Sequence, residues 1–354
     1  MTPIISNRGL TPPPAKGIVA IVPANLPVLL RRQTGTFPQS FPKESTRSLG
    51  NLDLRGLNPA PVTPFTVDGD VDYAALAGLG KFLASVDGVK SLVVLGHAGE
   101  GTFLTQDEQV KVIETLVAEV GDQVAIVAGI TGEGTKVAVE EAQRAVAAGA
   151  KAALTYPSHG WLRFGYQDGA PQDRYRAIWE EAGLPQILFQ YPDNTKASYN
   201  LDTQLEIAGQ EGVFWTKNGV RNMRRWDTEI PVLRREYPDL QIFSCHDEYL
   251  LHTIMDVDGL LVGYGNIAPE LLVEFIKAGK AQDWPAAKKI HDQLLPVTKS
   301  VYHRGSHMEG TVALKHALVA RGILPHATVR SPLLPLADGA DVEIADALKA
   351  ASII

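Results

Sequence analysis

One cysteine, Cys245, is all that the 354 residues contain. No intrachain disulfide is possible, and the default expectation is a reducing compartment, the cytoplasm. Long apolar runs are missing as well. None approaches the roughly 20 residues needed to cross a bilayer, so no membrane span is expected. Basic runs interleaved with aromatics are absent and the net charge is −7, which speaks against a nucleic-acid partner. No glycine-rich phosphate fingerprint follows the first apolar segment of the regular region, and this weakens a dinucleotide-binding open sheet. Hydrophobic residues are plentiful at 45%, enough for one large α/β domain or two smaller ones.

Acids are also scarce at the start. Glu44 is the only one before Asp53, in a stretch rich in Pro, Arg and Ser. Such a composition fits a transit peptide. The run "GIVAIVPANLPVLL" has the length of a signal h-region, but Pro23 and Pro27 interrupt it and arginines follow it. Residues 1–54 are therefore read as an extension, expected to be flexible.

From residue 57 a regular alternation begins. Short apolar runs ("NPAPVTPF", "SLVVLG", "VAIVAGI", "KAALTYP", "PQILFQYP", "VFWTK", "LQIFSC", "GLLVGYG") alternate with segments of helical spacing. Thr105 with Glu108 three residues on makes a capping box before one of these helices. The apolar runs are continuous rather than alternating, as in strands covered on both faces. Eight strand–helix pairs in strict order predict a parallel (β/α)8 barrel, a TIM barrel, over residues 55–280. Residues 281–354 read as a C-terminal helical region packed on its outside.

A barrel of this kind places its chemistry at the C-terminal ends of the strands. Those ends carry "GHAGEG" (96–101), "YPSHGW" (156–161), "FQYP" (189–192), Lys217, "SCHDE" (244–248) and "GYGNIAP" (263–269). A lysine closing the apolar run "VFWTK" is costly if buried, unless it is there to act as a free amine, because the amine is a nucleophile and the ammonium is not.

Several segments resemble the dihydrodipicolinate synthase / N-acetylneuraminate lyase family of Schiff-base aldolases. These are "PAPVTPFTVDGDVDYAAL", "GHAGEGTFLTQDE", "FSCHDEYLLHTIMDVDGLLVGYGNIAPELL" and "ALKHALVARGI" followed by "RSPLLPL", while "TKNG" falls where the family's imine-forming lysine stands. The resemblance spans roughly residues 55–340. It implies that Lys217 forms an imine with pyruvate or another 2-oxo acid, that no cofactor or metal is needed, and that the chain is a homotetramer. The family's two hydroxyl residues in the strand-2 loop are replaced by His97 and Ala98, whose backbone N–H groups are still suited to a carboxylate. Phe189 stands where the family has its strand-5 tyrosine. Tyr191, two residues on, faces the same side and is expected to supply the phenol. His159 replaces the tyrosine of the strand-4 loop. Gly263 and Leu261 are expected to offer backbone to a small acid.

Asn194 stands where true dihydrodipicolinate synthases carry an arginine, and a neutral amide cannot make that bidentate pair. Lysine biosynthesis is therefore not the expected role. His246 flanks the lysine at the end of strand 7, and with His97 and His159 it raises a rival idea, an open metal site. Asp247 and Glu248 are read as caps of the following helix, Glu100 as an organiser of its loop, and Cys245 as a small apolar filler. The expected activity is that of a class I lyase making or breaking a C–C bond. The alternatives are a dehydratase or hydratase-aldolase of the same fold, and a non-catalytic 2-oxo acid-binding protein.

Overall fold

The computed structural model describes residues 52–354. The expected flexible extension lies, through residue 51, outside the described residues. Eight strands form one parallel sheet: β1 (Leu57–Pro59), β2 (Ser91–Val94), β3 (Ala125–Ile130), β4 (Ala152–Thr155), β5 (Gln186–Gln190), β6 (Val213–Asn218), β7 (Gln241–Ser244) and β8 (Gly259–Val262). Each pairs with its neighbour in chain order from β2 to β8, and β1 pairs with β8. The ring closes where Leu57 N donates to Gly88 O (3.0 Å) and Lys90 N donates to Leu57 O (2.9 Å). Helices lie between the strands, the helix Pro269–Lys280 follows β8, and three more come after it, Trp284–Tyr302, His307–Ala320 and Ala340–Ala350. The fold is a (β/α)8 barrel with C-terminal helices.

Local chemistry explains most boundaries. The expected capping box is present: Thr105 Oγ1 accepts from Glu108 N (3.3 Å) and Glu108 Oε2 accepts from Thr105 N (2.8 Å). The first strand is shorter than the run "NPAPVTPF" suggested. Pro59, Pro61 and Pro64 have no N–H to give a ladder, so regular pairing stops at Pro59. The helix after β6 starts at Met223 because Asn222 caps it by accepting from Arg225 N (3.3 Å).

Two apolar layers result from the period-2 alternation of strand side chains. Leu92, Val94, Ile126, Ala128, Leu260 and Val262 face the helices. Val93, Val127, Leu154, Ile187, Trp215, Phe243 and Leu261 fill the barrel interior. Below them Gln241 Oε1 accepts from both Leu54 N and Trp215 Nε1 (3.1 Å each). Leu52 and Leu54 pack against this interior cluster and close its lower end.

Candidate active site

The inward phase of β6 runs through Trp215 to Lys217. Lys217 is 7% exposed and lies in register with Phe189 on β5 and Phe243 on β7. Its Nζ sits 4.1 Å from the centre of the Phe189 ring, a cation–π distance. Among the described residues no carboxylate, carbonyl or hydroxyl is within hydrogen-bonding reach of this amine. A second buried lysine, Lys315, shows the usual arrangement: its Nζ donates to Glu100 Oε1 (2.5 Å) and to Thr328 O (2.8 Å).

The residues at 189 and 191 share the inner face, as two-residue spacing requires, and their rings pack edge to face at 4.7 Å. Tyr191 Oη lies 3.2 Å from His97 Nε2. The rings of Tyr156, His159, Phe189 and Tyr191 surround the His97 imidazole, although the residue as a whole is exposed. Burial first, then the charges of Lys217 and Arg221, hold its imidazole well below the ordinary histidine pKa, so it is neutral at pH 7. Burial also raises the Tyr191 phenol well above its ordinary value, so that phenol keeps its proton. The His159 ring stacks over His97 with centroids 6.5 Å apart. Lys217, Phe189, Tyr191, His97 and His159 are thus brought together.

A second phenol belongs to the same cluster and was not singled out from the sequence. Tyr156, just beyond β4, accepts a hydrogen bond from His97 N (3.2 Å) and packs edge to face on Phe189 at 5.0 Å. A Cβ on Gly96 would lie 2.7 Å from its Oη, so the glycine makes room for the phenol. The signal available in advance was parity: Ala152, Leu154 and Tyr156 are two apart and point inward together.

Parity also separates residues that the sequence placed at the mouth. On β7 and its extension, Phe243 and Cys245 face inward, and Ile242, Ser244 and His246 face the helices. His246 is fully buried against Trp226, ring centres 5.0 Å apart. Its Nε2 accepts from Arg221 N (3.0 Å), so Nδ1 carries the proton and donates to Ser244 Oγ (3.2 Å). The structure does not bring His246 to Lys217. It lies on the far side of the strand from His97 and His159, so the three histidines do not converge on one ion. Leu261 lies in the barrel interior. Ala98 and Gly263 meet at the rim, where a Cβ on Gly263 would be 3.8 Å from that of Ala98 and 3.2 Å from Tyr302 Oη.

The supporting polar residues differ in part from expectation. The Glu100 carboxylate, expected to organise its own loop, instead ties that loop to the C-terminal region through Lys315 and Arg330 N (2.9 Å). Asp247 and Glu248 do not cap the next helix, which starts at Leu250 after Tyr249 with no side-chain cap. Asp247 Oδ1 accepts from Tyr264 N (3.0 Å), and Glu248 pairs with Arg221 Nη2 and His307 Nε2 at 3.4 Å each. Both turn toward neighbouring loops because the chain bends before the helix begins. Glu133, in the loop after β3, accepts from Ser158 Oγ (2.7 Å), His159 N (2.8 Å) and Gly160 N (2.7 Å), and so holds the loop that carries His159. Burial pushes its pKa up, but these hydrogen bonds prevail and hold it below the usual range.

A lysine inside a (β/α)8 barrel at the C-terminal end of its sixth strand can be set against known proteins. The family model described as Dihydrodipicolinate synthetase family matches residues 53–351. The chain belongs to the dihydrodipicolinate synthetase family. Members of this family are lyases of the Schiff-base aldolase type. A 4-hydroxy-tetrahydrodipicolinate synthase from Haloarcula marismortui is 30% identical over 291 residues, 81% of this chain and 90% of that one. Its counterpart from Bradyrhizobium diazoefficiens is 30% identical over 303 residues, 85% and 98%. The dihydrodipicolinate synthase of Acinetobacter baumannii, crystallised with pyruvate, superposes with a TM-score of 0.76 at 26% identity, covering 85% of this chain and 100% of that one. A monomeric dihydrodipicolinate synthase variant, 22% identical, shares the fold with a TM-score of 0.77 over 85% of this chain and 97% of its own.

Proposed function

We propose that this family member is a class I lyase in which Lys217 forms a Schiff base with pyruvate or a related 2-oxo acid, and that a C–C bond is made or broken through the resulting enamine. The observation that carries this reading is the isolated amine: Lys217 is buried at the barrel mouth, with an aromatic face beneath it and no anion to hold it as a salt bridge. Imine formation requires the free amine.

The steps follow from the neighbours. Lys217 Nζ adds to the keto carbon, and the carbonyl oxygen takes a proton to give a carbinolamine. Loss of that hydroxyl as water leaves a protonated imine. Removal of a proton from the adjacent carbon gives the enamine, whose electron pair attacks an incoming carbonyl. The cleavage direction is the reverse. Tyr191 and His97, 3.2 Å apart, are the proton carriers: the phenol is protonated at neutral pH and the imidazole is neutral, a matched donor and acceptor. The 2-oxo acid carboxylate would take the N–H of Ala98, since that of His97 is given to Tyr156, with Gly263 beside it on the same rim. Asn194, exposed after β5, puts no cation at its own position, which argues for a substrate held differently from that of the synthases named above. A location in the cytoplasm and assembly into tetramers go with this reading.

Borohydride reduction in the presence of pyruvate tests it. The expected product is a reduced pyruvate adduct on the Lys217 peptide, absent from Lys217→Ala. If neither pyruvate nor longer 2-oxo acids leave an adduct, the Schiff-base reading fails. A trapped adduct without turnover on any aldehyde would favour a 2-oxo acid-binding protein, a reading that the phenylalanine at 189 supports.

A further inference from the structure

The reaction outlined above leaves one guanidinium at the mouth unused. Arg221 follows β6 by three residues. Gly219 continues the inward phase of Trp215 and Lys217, so the space over its Cα is the layer above the lysine. A Cβ placed there would lie 3.6 Å from Arg221 Nη1 and 3.5 Å from Cys245 Sγ. Two residues of strand advance by about 7 Å, so the guanidinium stands roughly one layer above Lys217, over the same interior column.

Three further features show that this arginine is placed and yet not spent. Its φ is 49°, in the left-handed region that a bulky residue adopts only when its surroundings impose it. The constraint is visible: His246 accepts its backbone N–H. Its Nε has no hydrogen-bond partner. Its ion pair with Glu248 is loose, at 3.4 Å, where a well-formed guanidinium–carboxylate contact is about 2.8 Å.

We propose, on the basis of the Schiff-base reading, that Arg221 anchors a second carboxylate of the substrate, at the end remote from the reacting carbonyl. The guanidinium fork takes a carboxylate through two parallel hydrogen bonds, and Glu248 holds that place loosely when it is empty. The rise of about 7 Å between the two layers leaves room for a short carbon chain between the keto carbon and the second carboxylate. The favoured ligand class is therefore a short dicarboxylate, such as 2-oxoglutarate, or an adduct ending in a carboxylate that forms on the enamine.

The test uses two 2-oxo acids of equal length. 2-Oxoglutarate ends in a carboxylate and 2-oxovalerate in a methyl group. Each is titrated with borohydride trapping on Lys217 of the full chain. The parent should reach half-maximal adduct at a concentration about tenfold lower for 2-oxoglutarate. Arg221→Met should bring the ratio to about one, Arg221→Lys should reduce it partly, and Glu248→Gln, which frees the guanidinium, should increase it. Equal trapping of the two acids by the parent, or a preference that survives in Arg221→Met, would overturn the proposal. So would an equal loss for both acids in Arg221→Met, which would put the guanidinium on the carboxylate next to the keto group. Absence of any adduct in the parent would instead sink the Schiff-base reading itself. Should Arg221→Met fail to fold, the opposite shifts expected of Arg221→Lys and Glu248→Gln still decide.

Discussion

Two buried lysines invite comparison. Lys217 lies inside the barrel mouth and Lys315 at the seam between the strand-2 loop and the helix His307–Ala320. Each places its ammonium group over a phenylalanine, Phe189 at 4.1 Å and Phe65 at 4.2 Å. Lys315 is bound to a carboxylate and a carbonyl. Lys217 has neither. Burying a charge is costly unless it is paired, so Lys315 belongs to the architecture, and on the proposed reading Lys217 waits for a partner that arrives from solution. Identical side chains in similar aromatic settings are thus told apart by what completes their hydrogen bonding.

The sharpest way to test this contrast is to remove each amine. Lys217→Met should lower turnover at least about a thousandfold while leaving the thermal midpoint equal to or above that of the parent, because an uncompensated group has gone. A falling midpoint would mean that Lys217 is structural after all. Lys315→Met should do the opposite in stability. It strands Glu100 in the interior and should cost about 3–5 kcal/mol in urea unfolding, and pairing it with Glu100→Gln should recover much of the loss. Recovery is the telling readout, since it separates a stranded charge from lost packing.

A smaller effect concerns the proposed proton carriers at the mouth. Tyr191→Phe should lower kcat about ten- to a hundredfold and still permit trapping at Lys217. Turnover at the parental rate would transfer the phenol's role to Tyr156, which shares the cluster. The smallest effect lies behind the strand. His246 is neutral in the folded chain, held down to about 3 by burial and then by Arg221, whereas an unfolded histidine takes up a proton near pH 6.5. Between those values the unfolded state binds the extra proton. This contribution is therefore complete above about pH 6.5 and is lost as the pH falls, by up to about 1.4 kcal/mol per unit. His246→Gln should flatten the decline in stability between pH 6.5 and 5 by about 2 kcal/mol, as read from urea midpoints.

The barrel and the position of Lys217 were legible because strand–helix alternation and the end of an apolar run are local signals. What each strand end points at was not. "FSCHDE" is buried on both faces, so nothing in its pattern says that Cys245 looks inward and His246 outward; the register of the completed barrel decides it. The Glu100–Lys315 pair joins residues 215 apart in sequence, and neither residue advertises the other. Tyr156 was visible as a residue but not as a neighbour, since it reaches His97 across one intervening strand, β3, which lies between β2 and β4. Arg221 was hidden for another reason: it sits in a loop, and its aim depends on a backbone angle that no composition predicts.

The seal beneath the interior has its own consequence. With Leu52, Leu54, Gln241 and Trp215 filling the lower end among the described residues, Lys217 is approached from the mouth. On the proposed reading, the 2-oxo acid tethered to Lys217 sits deeper than whatever meets it, so its partner must arrive second and depart first. Traffic through one opening imposes sequence in time. Steady-state kinetics should accordingly show an obligatory order of addition, and an excess of the partner should block the doorway against the 2-oxo acid.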